Sequence, residues 1–243
     1  MSLPPDISWL LLAALIAGIV RGFSGFGTAM IYLPVAGQFL SPFEAITTLL
    51  VMDLIGPLPN VPRSLRDGDP KDVLRLAVGL AAFVPLGVFV LTLVPPEVFR
   101  YSVSLLALGL LAVLITGVRY RGELKRWMIY ATGAAGGFLA GSSGLPGPPV
   151  ILLYMASTKP VEAIRANNML YLILSDIVML VVLWSFGELV PGALLTGAAV
   201  TVPYLIGNVI GARIFKPGRE KVYRRVAYAI IAVSAILGLP IVN

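Results

Sequence analysis

The sequence contains no cysteine and no histidine, and only 12% of its 243 residues are charged. These absences exclude disulfides and thiol chemistry, and they remove the ligands of most transition-metal sites and the usual proton shuttle. No paired base and nucleophile stands out among the remaining residues, and there is no G-x-x-x-x-G-K-[ST] motif for nucleotide-driven pumping. We therefore expect neither an enzyme nor a cofactor, and no metal site.

Apolar residues make up most of what is present. They account for 58% of the chain, with a mean hydropathy of +0.93, whereas an ordinary soluble domain has about a quarter charged residues. This composition predicts an all-α, polytopic protein of the cell membrane, whose neighbour is the lipid bilayer. The net charge of +6 does not indicate nucleic acid, because the basic residues lie between apolar spans. The first six residues lack a basic residue, and no A-x-A pattern follows, so we expect no signal peptide.

Two glycine-rich breaks interrupt the apolar sequence. The first break reads Gly22-Phe23-Ser24-Gly25-Phe26-Gly27-Thr28, and the second reads Gly141-Ser142-Ser143-Gly144-Leu145-Pro146-Gly147-Pro148-Pro149. Glycine and proline at this density end a helix. Within a bilayer, a broken helix is tolerated only where its bared backbone faces protein, water or a ligand. The breaks therefore indicate either kinks that let helices pack closely or a binding site formed by helix ends.

The lengths of the flanking segments predict a re-entrant hairpin at the first break. Ile7 to Val20 precedes it and Ala29 to Leu40 follows it. At 1.5 Å per residue each segment reaches about 20 Å, short of the roughly 30 Å hydrocarbon core. Three full spans then follow, with a polar loop from Arg63 to Asp72. The full spans of this half are predicted at residues 41–59, 73–94 and 99–118.

The second half repeats this pattern. Its broken segment is predicted at 127–140 and 150–157, and its spans at 161–186, 194–215 and 222–239. Gly18 and Gly22 match Gly137 and Gly141 at a constant offset of 119, and the segment 41–46 matches 159–164 at an offset of 118. We interpret residues 1–120 and 121–243 as two structural repeats within a single transmembrane domain.

The basic residues set the predicted orientation. They concentrate in four loops, namely Arg63, Arg66, Lys71 and Arg75; Arg119, Arg121, Lys125 and Arg126; Lys159 and Arg165; Lys216, Arg219, Lys221, Arg224 and Arg225. If each broken segment turns back, all four loops face the cytoplasm, as basic loops do, and both termini lie outside. Each half then has three full spans, so the halves are inverted repeats. That is a recurring plan of secondary transporters with a site near the bilayer midplane.

The residues of the breaks are the predicted substrate-binding residues. A helix that starts at a break presents unpaired N–H groups and a partial positive charge, which suit an anion. The predicted set comprises Gly22, Ser24, Gly25, Phe26, Gly27 and Thr28 in the first break, and Ser142, Ser143, Gly144, Leu145, Pro146 and Gly147 in the second. The alternative is close packing, since the pairs Gly18/Gly22, Gly133/Gly137/Gly141 and Gly207/Gly211 have the G-x-x-x-G spacing.

Other polar residues in or beside the spans form a possible coupling or polar network: Arg21, Asp53, Asn167, Asn168 and Asp176. Polar groups within a membrane are costly, so each suggests a function or an interhelical hydrogen bond. Either carboxyl group could carry a coupling proton or serve only as a hydrogen-bond partner. Arg21 could attract the anion, extend toward the interface or pair with a carboxylate.

The two breaks, spaced about one repeat apart in halves of about 120 residues, resemble the sulfite exporter TauE/SafE family of membrane permeases. The resemblance covers nearly the whole chain and implies transport of small sulfur-containing anions such as sulfite or sulfonates. With a negative interior, each exported charge gains about 2.3 kcal/mol per 100 mV, so export needs no coupled ion. The alternatives are a transporter of another small organic anion and a membrane scaffold or assembly factor. The oligomeric state is not indicated.

Overall fold

The computed structural model describes residues 4, 6–58, 61–116, 124–155, 159–214 and 220–240. Every regular element within these ranges is a helix. In chain order the helices are α1 Ile7–Ser24, α2 Thr28–Ala36, α3 Pro42–Ile55, α4 Val61–Asp67, α5 Pro70–Leu93, α6 Pro96–Thr116, α7 Arg126–Ser143, α8 Gly147–Met155, α9 Val161–Phe186, α10 Pro191–Ile214 and α11 Glu220–Leu237. The expected all-α class is confirmed for the described residues.

Five helices of the described part are long and apolar enough to cross a membrane: α1, α5, α6, most of α9, and α10. Large apolar side chains on these helices are exposed, among them Trp184 and Leu93. A water-soluble surface does not present long apolar helices in this way, whereas a lipid-facing surface does. The chain is therefore a multi-pass membrane protein.

The helices form two compact units. The first contains α1, α2, α3, α10, α11 and α6 as far as Ala112; the second contains α4, α5, α7, α8, α9 and the rest of α6. In the first unit α1 packs along α10, and in the second α5 packs along α7. Each unit thus takes helices from both halves of the chain. The repeats at 1–120 and 121–243, and their inversion, stay predictions about the sequence.

Glycines bring these paired helices into backbone contact. A Cβ built on Gly18 would lie 2.2 Å from the carbonyl oxygen of Tyr204, and one on Gly211 would lie 2.1 Å from that of Ile19. In the second unit, a Cβ on Gly133 would lie 2.2 Å from the carbonyl oxygen of Leu76. Any side chain at these positions would collide with the neighbouring backbone. The packing role predicted from the G-x-x-x-G spacing is confirmed.

The prediction of half-length arms before the breaks was wrong. The helices α1 and α7 each have 18 residues, which corresponds to about 27 Å at 1.5 Å per residue. Helix α1 continues through Gly22 because that glycine packs against α10 in ordinary helical geometry. It ends only at Gly25, where φ is +80°. The arms after the breaks are short, with nine residues each in α2 and α8.

The predicted polar loop at 63–72 was also wrong in part, because it contains α4 and the start of α5. Arg63 and Asp67 are paired at 3.2 Å across one turn of α4, a spacing that supports a helix. Asp69 then caps α5 by accepting from the backbone N–H of Lys71 and Asp72. The preceding helix α3 ends at Ile55, four residues before the predicted end.

A substitution on α5 tests the backbone contacts. Gly79→Ala should destabilise the protein by about 1–3 kcal/mol, the usual cost of overpacking, because its Cβ would lie 2.3 Å from the carbonyl oxygen of Tyr130. Gly109→Ala is the matched control, since a Cβ there has no neighbour within 4 Å and alanine favours the helix. Thermal unfolding in detergent measures both. Equal melting temperatures for the two variants would contradict this packing.

Candidate functional site: the two glycine breaks

The first break joins α1 to α2 through two glycines in the left-handed region, Gly25 at φ +80° and Gly27 at φ +100°. Gly27 is the N-cap of α2, and no side chain caps this helix start. The backbone N–H of Ile31 donates to Gly27 at 3.1 Å. The N–H groups of Thr28, Ala29 and Met30 therefore precede the first intrahelical bond, as the leading groups of every helix do. These three N–H groups at the helix N-terminus can bind an anion.

At the second break, too, a helix ends at a left-handed glycine and a new helix follows, but the new helix start has fewer backbone N–H donors. Helix α7 ends at Gly144, with φ +73°, whose N–H donates to the carbonyl oxygen of Ala140 at 2.8 Å. This bond is that of an αL helix end, and the N–H of Leu145 also donates to the carbonyl oxygen of Leu139 at 3.3 Å. Helix α8 then begins at Gly147. Pro148 and Pro149 have no N–H, so this start offers fewer backbone donors than the start of α2.

The serine hydroxyls of the breaks bind backbone carbonyls in this structure. Ser24 lies 2.6 Å from the carbonyl oxygen of Val20 and 2.9 Å from that of Phe26, and its single hydrogen can serve one of them at a time. Ser143 donates to the carbonyl oxygen of Leu139 at 2.7 Å. Their predicted role as substrate donors would thus require the hydroxyls to rotate. Ser142 and Pro146 are half-buried, and Leu145 is buried.

Four polar residues meet beside the start of α2, and we call them the first-break cluster: Arg21, Thr28, Asp53 and Tyr204. The Arg21 Nη1 atom donates to the Thr28 hydroxyl at 3.3 Å, and the Tyr204 hydroxyl donates to Asp53 Oδ1 at 3.1 Å. Thr28 and the charge of Arg21 both act on the Asp53 carboxyl group. Which of the three roles Arg21 has stays a prediction.

The other predicted network residues lie on α9 and are not brought together in one cluster. Asn167 is an interhelical hydrogen-bond partner: its Oδ1 accepts from the backbone N–H of Asp69 at 2.6 Å, and its amide donates to the Tyr154 hydroxyl at 3.0 Å. Asn168 Oδ1 is buried and has no hydrogen-bond partner among the described residues. Asp176 is buried.

An ion-pair cluster in the second unit was missed by the sequence interpretation. Lys159 Nζ contacts Asp69 Oδ2 at 2.7 Å and Asp72 Oδ2 at 2.5 Å, and Arg75 contacts Asp72 at 2.8 Å. Burial disfavours the charged ammonium, yet the hydrogen bonds to both carboxylates raise the pKa of Lys159 above its ordinary value. The hydrogen bond from Lys159 lowers the pKa of Asp69. The sequence did offer a signal for this cluster. Lys159 lies just before α9, at the position that matches Ser41, the residue that caps α3.

Comparison with known proteins shows the family of this chain. The family model of the sulfite exporter TauE/SafE matches residues 10–237. The chain belongs to the sulfite exporter TauE/SafE family. It is 30% identical, over 90% of its length and 89% of the relative's, to a Cupriavidus necator protein described as a "Probable sulfite/organosulfonate exporter TauE". No solved structure matches it significantly. Both breaks fall within the residues that the family model matches.

The ion-pair cluster should stabilise the second unit over a defined pH range. The stabilisation from Asp69 is present above the ordinary pKa of an aspartate, about 4, and is lost as the pH falls toward the lower pKa of Asp69 in the folded protein. The stabilisation from Lys159 is lost as the pH rises through its raised pKa. Lys159→Met should therefore lower the melting temperature at pH 7, because it leaves Asp72 buried with Arg75 alone.

Lys71→Met is the matched control, since Lys71 is an exposed lysine next to Asp72 at the start of α5. Melting temperatures of both variants in detergent, measured from pH 3 to pH 8, provide the comparison. The cluster would have no stabilising role if Lys159→Met melted with wild-type behaviour throughout that range.

Proposed function

We propose that this protein is an exporter of small sulfur-containing oxyanions, such as sulfite or sulfonates, and that the helix starts at the two breaks bind them. The observation that carries the proposal is the glycine-terminated helix end at each break, followed by a new helix start. Membership of the TauE/SafE family supports transport. The substrate class is supported by the name of the Cupriavidus necator relative, which is described as an exporter of sulfite or organosulfonate.

The chemistry of the first break suits weak, reversible anion binding. Three backbone N–H groups at the start of α2 can donate to oxyanion oxygens, and the helix dipole adds a partial positive charge. Arg21 lies close by, where it donates to the Thr28 hydroxyl at 3.3 Å. The donors at the helix start itself are neutral backbone groups. Binding remains favourable enough to select an anion and weak enough to release it, as transport requires.

We further propose the orientation indicated by the basic loops, with these loops in the cytoplasm, both termini outside and the chain in the cell membrane. Outward movement of an anion then follows the membrane potential. The inverted-repeat arrangement underlies this orientation, because each broken segment must return to the side from which it came.

Single introduced cysteines test the orientation directly, since the chain contains none natively. Arg66→Cys and Gly218→Cys should be labelled by an impermeant thiol reagent only from the cytoplasmic side. Glu97→Cys, in the first turn of α6, should be labelled only from outside. Opposite labelling of the first two variants would contradict the inverted-repeat proposal.

Substitution of the left-handed glycines tests the site. A Cβ in this region costs about 1–2 kcal/mol, so Gly25→Val and Gly144→Val should lower anion flux into proteoliposomes by roughly tenfold or more. Gly187→Val is the matched control. Like Gly25, Gly187 has a positive φ (+74°) and no neighbour within 4 Å of a built Cβ, but it ends α9 and belongs to neither break. Full flux in both break variants would refute the proposed site.

A further inference from the structure

Unpartnered polar atoms are concentrated on one helix. Within the described part of the chain, six buried side-chain nitrogen or oxygen atoms have no hydrogen-bond partner, and three of them belong to α9: Asn168 Oδ1, the Tyr171 hydroxyl and Ser175 Oγ. Positions 168, 171 and 175 are spaced by three and four residues, so they share one face of the helix. We call these three residues the polar row. Burying such groups without partners costs free energy, which suggests that they bind something else.

The hydroxyl of Tyr171 lies at the second break. Tyr171 is fully buried. A Cβ built on Gly136 of α7 would lie 2.1 Å from this hydroxyl and 2.9 Å from the carbonyl oxygen of Pro146. The hydroxyl and the residue that precedes α8 therefore flank the same point, and only glycine at position 136 leaves room for them. Tyr171 thus places a buried, unpartnered hydroxyl beside the residue that precedes α8.

The Tyr171 hydroxyl adds a hydrogen-bond donor near a helix start that has few backbone donors. The start of α8 lacks two N–H groups because of Pro148 and Pro149, whereas the start of α2 has no such loss. At the repeat offset of 118, Tyr171 corresponds to Asp53. Asp53 also lies at its break, but there its carboxyl group is bonded by Tyr204 and Thr28. The corresponding helices of the two repeats each place a polar side chain at a break, and among the described residues only that of the second has no hydrogen-bond partner.

We propose that the Tyr171 hydroxyl donates a hydrogen bond directly to an oxygen of the transported oxyanion, and that the polar row extends this contact along α9. The inference rests on the proposed function and adds a specificity-determining residue to it. A substrate with no hydrogen-bond acceptor at this position would leave the hydroxyl buried and unpaired, so the row favours substrates that place an acceptor oxygen there.

Tyr171→Phe tests the inference, with Tyr154→Phe as its matched control. Both tyrosines are fully buried, but the Tyr154 hydroxyl is bonded to Asn167 at 3.0 Å. The purified variants are titrated with sulfite and methanesulfonate, with chloride as reference. Melting temperature is recorded with and without anion, and flux is measured in proteoliposomes.

Tyr171→Phe should keep or raise the melting temperature without anion, because it removes an unpaired buried polar group. It should weaken sulfite and methanesulfonate binding by about ten- to hundredfold, the effect of one hydrogen bond to a charged group. Tyr154→Phe should lower the melting temperature and leave anion affinity near the wild-type value. Wild-type affinity in Tyr171→Phe, or a melting temperature lowered as much as in Tyr154→Phe, would overturn the role of Tyr171. An absence of binding and flux in the wild-type protein would instead refute the proposed function itself.

Discussion

The structure depends on one constraint: the hydrocarbon core of a bilayer offers no water to a backbone group that has lost its helical partner. A helix that ends there must satisfy its last carbonyls and its successor's first N–H groups from protein or ligand. The chain manages the carbonyl side with glycines in the left-handed region. Gly25 donates back to the carbonyl oxygen of Arg21, and Gly144 to that of Ala140. In both breaks a serine hydroxyl also donates a hydrogen bond to a carbonyl oxygen of the last turn. The first N–H groups of the next helix remain available, and an anion can bind to them.

Small residues hold the long arms of the breaks in place. Within the first unit α1 lies against α10, and within the second unit α7 lies against α5, in both cases with glycine facing backbone. The two breaks nevertheless differ in their polar surroundings. The first contains an arginine, a threonine, a carboxyl group and a tyrosine that bind one another. The second has two prolines and a tyrosine with no protein partner. Similar backbone geometry is thus accompanied by two different polar surroundings.

The features that depend on local sequence were predictable. The breaks, the packing glycines and the bounds of α9 follow from glycine spacing and hydropathy, and α9 was predicted at its observed residues 161–186. Features that depend on distant partners were not. The Tyr204–Asp53 contact joins residues 151 positions apart, and the contact between Lys159 and Asp69 joins residues 90 positions apart. The extension of α1 to Ser24 depends on the contact of Gly22 with α10. Helix α4 is an exception, because the Arg63–Asp67 spacing was a local signal that the loop interpretation overlooked.

Amide hydrogen exchange at the breaks tests the central claim most directly, namely that backbone N–H groups at new helix starts bind the substrate. The purified protein in detergent is compared with saturating sulfite and with chloride at equal ionic strength. We expect slower exchange with sulfite in the peptides that carry the amides of residues 28–30 and of Gly147, with little change in the middle of α5, whose amides are already bonded within the helix. Unchanged exchange at both breaks under conditions where sulfite is shown to bind would contradict this claim.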